Sequence, residues 1–153
     1  MAGKVTLIDR GWNSIRSNLR HANGSHTKVG IQQGSTSSKD GKVSDLVMIA
    51  AANEFGTSTI PSRPALRQAF DNNRSQLSSV TQQAYDKMIT GMMDSKAALG
   101  LIGEWMSDRM KRQITALRTP PNAPATIARK KSSNPLIDTG QYRNSISHVE
   151  VMS

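Results

Sequence analysis

Apolar residues recur along the chain with two different periods, and each period predicts a kind of element. Ile8, Trp12, Ile15 and Leu19 are spaced four, three and four apart. That spacing puts them on one helical face, opposite Arg10, Arg16 and Arg20, and predicts a first amphipathic helix over residues 7–22. Val29 and Ile31 alternate with polar neighbours through residues 27–33, the period of a half-buried strand. Ser44 is placed to cap a second helix over residues 45–55, where Leu46, Ile49, Ala50 and Asn53 share a face. Gly56 then supplies the left-handed residue that commonly ends a helix.

Pro64 suits the first turn of a long third helix, in which Leu66, Phe70, Leu77, Val80, Ala84 and Met88 recur at helical spacing. Gly91 interrupts it. Leu99, Ile102, Met106, Met110, Ile114 and Leu117 mark the apolar face of another helix reaching Arg118, which Pro120 and Pro121 stop. Asp138 and Gln141 have the spacing of a capping box around a short helical turn. Ile146, His148 and Glu150 then alternate with Ser147, Val149 and Val151 as a last strand. Together these predict an α+β class: a helix-rich single domain over residues 1–153, with a small antiparallel sheet that includes the C-terminal strand.

Two segments fall outside the periodic pattern. Residues 34–42 (GSTSSKDGK) contain no apolar side chain and predict a mobile loop. Residues 119–135 are too polar and proline-rich for core but hold too few glycines for a free linker. They predict an extended arm that becomes ordered against a neighbouring subunit.

Composition sharpens this picture. The chain has 153 residues, with 20 Lys plus Arg against 11 Asp plus Glu, a net charge of +9. With 36% hydrophobic and 4% aromatic residues it can build one modest core. No apolar run approaches the roughly 20 residues of a membrane span, and residues 1–10 lack the apolar centre of a signal peptide, so a soluble protein made in the cytoplasm is expected. The absence of cysteine excludes disulfides, thiolate nucleophiles and Cys-based zinc sites. Between Arg109 and Ile137 stand Arg109, Lys111, Arg112, Arg118, Arg129, Lys130 and Lys131, with no acidic residue. Such a run attracts a polyanion or an acidic protein surface, or serves as a solvated face that keeps the chain soluble.

Catalytic patterns are sparse. There is no phosphate-binding loop, no G-x-G-x-x-G, no H-E-x-x-H and no G-x-S-x-G. His21, His26 and His148 lack the spacing that lets one helix face hold a metal, so no metal, cofactor or small-molecule substrate is expected. Glu104 and Asp108 share a helix face and could be drawn as an acid and nucleophile pair. Asp108 also stands four residues before Arg112, the orientation that favours a helical salt bridge, and Trp105 between the carboxylates reads as a partly buried anchor.

Three stretches are more specific: IAAANEFG (49–56), IPSRPALR (60–67) and PPNAPATIARKKSSNPLIDTGQYRNSI (120–146). In order and spacing they resemble the tail-completion and neck proteins of tailed bacteriophages, also described as virion morphogenesis or tail-component proteins. Ala65, Lys131 and Tyr142 stand where that family commonly has a bulky aromatic, a glycine and a leucine. The resemblance implies a non-enzymatic structural virion protein, synthesised in the bacterial host cytoplasm. It would form a ring, commonly a hexamer, between the head connector and the tail tube or tail-terminator proteins.

On this reading, contacts between subunits or rings fall to Glu54, Phe55, Arg63, Pro64, Asn122, Pro124, Thr126 and Arg143. Pro61 and Pro64 stiffen the loop expected to present Arg63 outward. Lys111, Arg112, Arg129, Lys130 and Lys131 then meet either DNA in the lumen, without sequence preference, or acidic surfaces of adjacent rings. The alternative from a different class is a free basic nucleic-acid-binding protein, although no helix-turn-helix, zinc finger or aromatic stacking platform stands out.

Overall fold

The computed structural model describes residues 11–39 and 42–153. Its elements in chain order are α1 (Trp12–Ala22), β1 (His26–Ile31), β2 (Thr36–Lys39), β3 (Lys42–Asp45), α2 (Leu46–Phe55), α3 (Ala65–Ile89), α4 (Ser95–Ala116), α5 (Pro124–Lys130), α6 (Gln141–Asn144) and β4 (Ile146–Val151). The class is α+β, rich in helix, and β4 at the C-terminal end pairs with β1 in a two-stranded antiparallel sheet. The register runs from His26 opposite Val151 to Ile31 opposite Ile146.

The long helices α3 and α4 pack together, and the sheet lies across α4. Ile114 and Ile146 are sealed from solvent and cluster with Leu46, Ala50, Ala65, Ala69, Met106, Met110, Leu117, Leu136 and Tyr142, while Ala84, Met88 and Ala98 are buried further along α3 and α4. The buried positions at the start of α3 are Ala65 and Ala69, which share the core with Leu46 and Ala50 of α2. Trp105 packs against the edge of this core, with the Arg109 guanidinium 5.0 Å from its ring centre.

The sheet seats on α4 through glycine. A Cβ at Gly103 would stand 2.6 Å from both the His148 Cδ2 and the Thr27 Oγ1. The covered face of β4 therefore carries His148 and Glu150, whereas Val149 is exposed. His148 lies between two carboxylates, 3.4 Å from Glu104 and 3.3 Å from Glu150. Asp108 pairs with Arg112 at 2.7 Å, the helical salt bridge that their spacing predicts.

Three local expectations are corrected, and the first helix is present as expected but uncovered. α1 buries none of its side chains: Trp12 is 65% exposed, and the apolar stripe does not reach the core. The upstream part of that predicted helix, including Ile8, lies outside the described residues. The segment expected as a loop over 34–42 instead contributes to a β2–β3 hairpin, because paired backbone groups need no apolar side chains to satisfy each other. Its Ser37 hydroxyl donates to Gln141 Oε1, tying it to α6. Residues 40 and 41 of that loop lie outside the described residues. Ser44 is taken up in β3, so Asp45 caps α2 through Val47 N at 2.8 Å, and Gly140, not Asp138, stands at the N-cap of α6.

Asp94 caps α4, accepting from Ala97 N at 2.7 Å. Asp94→Ala should cost about 1 kcal/mol, read as a lower urea midpoint with an unchanged slope. A changed slope would mean that the whole α3–α4 turn loosens instead.

Candidate functional site

The three distinctive stretches, far apart in sequence, meet at one junction. α2 ends at Phe55, and Gly56 takes φ 80°, a left-handed value that glycine adopts without strain. A Cβ there would lie 3.0 Å from Ser62 N, since the following loop folds back over it. That fold-back is held by Thr57 N donating to Ile60 O at 2.8 Å, Ser62 Oγ to Glu54 O at 2.9 Å, and Arg63 N to Asn53 O at 2.6 Å. The loop delivers the chain into α3, whose N-cap residue is Pro64 and whose first turn has no capping side chain of its own.

Glu54 supplies that cap from the end of α2. It is 8% exposed, and its two carboxylate oxygens accept from Leu66 N at 3.1 Å and Arg67 N at 2.9 Å. A carboxylate at this position meets both the orphan N–H groups and the positive end of the helix dipole. Its neighbour Phe55 is 72% exposed, with the Arg67 guanidinium 5.7 Å from its ring centre.

Arg63 departs from expectation. Instead of pointing outward it is 5% exposed and locks the 120–135 segment to the loop. Nε donates to Pro120 O at 2.8 Å, and Nη2 donates to Pro121 O at 3.0 Å and to Asn122 Oδ1 at 3.2 Å. The Thr119–Pro120 bond is cis. Burial pulls the Arg63 pKa below its ordinary value.

The segment read as an extended arm is a closed loop containing α5. Asn122 Nδ2 and Lys130 Nζ both reach the carbonyls of Asn134 and Pro135. Asn134 Oδ1 accepts from Leu136 N at 2.9 Å and Ile137 N at 3.0 Å, and its Nδ2 donates to Thr115 O at 2.9 Å. Leu136 then anchors the loop in the core. Backbone carbonyls turned inward find donors within the chain, so the segment folds on itself. Lys131 ends α5 at φ 54°, which explains why a glycine would also fit at that position.

The remaining expected residues divide. Thr126, Arg129 and Lys130 line the cleft that also holds Arg63 and Asn122. Pro124 begins α5 and is exposed, as is Lys131 at its end. Arg143 on α6 is exposed and donates to Asn144 Oδ1 at 3.3 Å. Lys111, half-buried, and Arg112, exposed, belong to α4 and do not line this cleft. Asn53, Arg67 and Asn134 were not singled out for this junction by sequence; the Asn134–Pro135 pair, a turn signal, was the available clue.

Tyr142 sits 7% exposed behind the junction, its hydroxyl without a hydrogen-bond partner. Burial first, and the nearby Glu54 charge second, push its phenol above the ordinary range. The neutral form is thus favoured in the folded chain. Its contribution is fully present below the unfolded value of 10.0 and is lost as pH rises above it. Tyr142→Phe removes an unsatisfied buried group and should be neutral or stabilising by up to about 1 kcal/mol at neutral pH. It should also reduce the alkaline loss of stability; a loss equally steep in the variant would place its origin elsewhere.

Among the described residues no group of three or more His, Asp or Glu side chains is placed to hold a metal ion, and no helix is long and apolar enough to cross a membrane. No protein-family model matches the chain, and neither the curated proteins nor the solved structures yield a significant match.

Proposed function

We propose that this chain is a structural virion protein of a tailed bacteriophage. It forms a ring at the head–tail junction that completes the tail and joins it to the head connector. The observation that carries this reading is the convergence of the three neck-like stretches. NEFG supplies the cap of α3, IPSRP supplies the buried arginine, and PPNAP supplies its acceptors. Residues that depend on each other in this way form one structural unit, which is what a shared scaffold requires.

The ring is built from copies of this chain, with tail-tube or tail-terminator proteins on one side and the head connector on the other. Its basic residues meet acidic neighbouring surfaces or the phosphates of passing DNA. A phage unable to make the chain should leave full heads and free tails separately in the lysate, restored by supplying the protein. Normal infectious particles without it would reject the proposal. The second reading, a free nucleic-acid-binding protein, rests on the net charge of +9. Tight, sequence-selective shifting of short duplex DNA at physiological salt would favour it.

A further inference from the structure

We propose that the cleft between the 57–63 loop and α5 is an oxyanion-binding site that receives an acidic side chain of a partner polypeptide. Arg63 forms its floor. Its Nε and Nη2 are spent on neutral carbonyl acceptors and Nη1 has no hydrogen-bond partner, yet Nη1 is not sealed from solvent. Arg63 as a whole is 5% exposed and makes no ion pair among the described residues. A buried cation is ordinarily matched by an anion, because neutral acceptors offset only part of the lost hydration.

The rest of the lining points to the same chemistry. Arg129 enters the cleft from α5, Thr126 adds a hydroxyl, and no Asp or Glu is among the residues that line it. Arg63 and Arg129 share a recess whose lining holds no carboxylate, and an anion bound between them offsets their mutual repulsion. The remaining Nη1 of Arg63 can donate a charge-assisted hydrogen bond to a carboxylate oxygen.

The walls select a polypeptide over a nucleic-acid backbone. Ile60, Pro61 and Pro121 surround the basic floor with apolar surface. A carboxylate on an aliphatic stem can reach the recessed arginine while its stem covers those walls. A phosphodiester, flanked by sugars on both sides, is met best by exposed cations along a track. The site stands on this cleft alone and does not depend on the ring assignment.

The test uses the full-length chain labelled with nitrogen-15 and titrated separately with a hexaglutamate peptide, a hexaserine peptide and a short duplex DNA. The readout is the Arg63 Nε–H signal together with the amides of Asn122 and Thr126. Hexaglutamate should shift these signals saturably and hexaserine should not. Arg129→Ala should weaken binding about tenfold, the effect of one charge-assisted contact, while Arg74→Ala on α3 should change it less than about twofold. Arg129 is exposed, so its removal leaves the folded junction in place. Three results would overturn the proposal: no shift with hexaglutamate, equal weakening by both variants, or saturation of the same signals by DNA at lower concentration.

Discussion

Glu54→Ala should destabilise the chain by about 3 kcal/mol, lowering the thermal midpoint by roughly 6–12 °C. The residue is buried, and both carboxylate oxygens are occupied by backbone N–H groups of the first turn of α3. Truncation leaves Leu66 N and Arg67 N without acceptors in a place that water reaches poorly, and it removes a negative charge from the positive end of the helix. Nothing local can substitute, because Pro64 at the N-cap offers no side-chain acceptor. Glu54→Gln keeps one good acceptor and should retain about half of the lost stability. Urea unfolding of the two variants provides the comparison. A loss below about 1 kcal/mol for the alanine variant would mean that the carboxylate is not the cap.

Gly103→Ala should cost about 2–3 kcal/mol, although alanine is the better helix former by about 1 kcal/mol. The added methyl would meet His148 Cδ2 and Thr27 Oγ1 at 2.6 Å and His148 Cγ at 2.7 Å. These atoms lie near their own backbones, so the sheet must lift away from α4. Gly100→Ala, one turn earlier, is the control. Its methyl would meet only the Glu150 carboxylate, with Oε1 at 3.0 Å, and that flexible end can swing aside. Gly100→Ala should therefore be near neutral. Equal stability for the two variants would contradict the close seating of the sheet at Gly103.

Periodicity made the helices legible because α3 and α4 each present a long apolar stripe to each other or to the sheet. It does not say what covers a stripe: Trp12 falls on the apolar face of α1, and there it is 65% exposed. The strand residues His148 and Glu150 invert the usual rule, since Gly100 and Gly103 of α4 leave room for these polar side chains against the helix. Caps moved by a residue or two where a neighbouring strand or glycine claimed the expected position.

The junction was legible as motifs but not as geometry. NEFG, IPSRP and PPNAP stood out, yet charge and proline content suggested that Arg63 faces outward. Its true acceptors are carbonyls some 57 residues away, and a backbone carbonyl carries no signature in the sequence. The same reason hid the closure of residues 120–135, which rests on Asn122, Lys130 and Asn134 bonding to main chain.

The central claim is position in the particle, and the most direct measurement is electron cryo-microscopy of the head–tail junction in phage that encode this chain, with copy number fixed by mass spectrometry. A closed ring of this fold at the neck, its Arg63 junction intact within each subunit, is the expected result. Density at the neck that this fold cannot occupy, or particles that lack the chain, would contradict the claim.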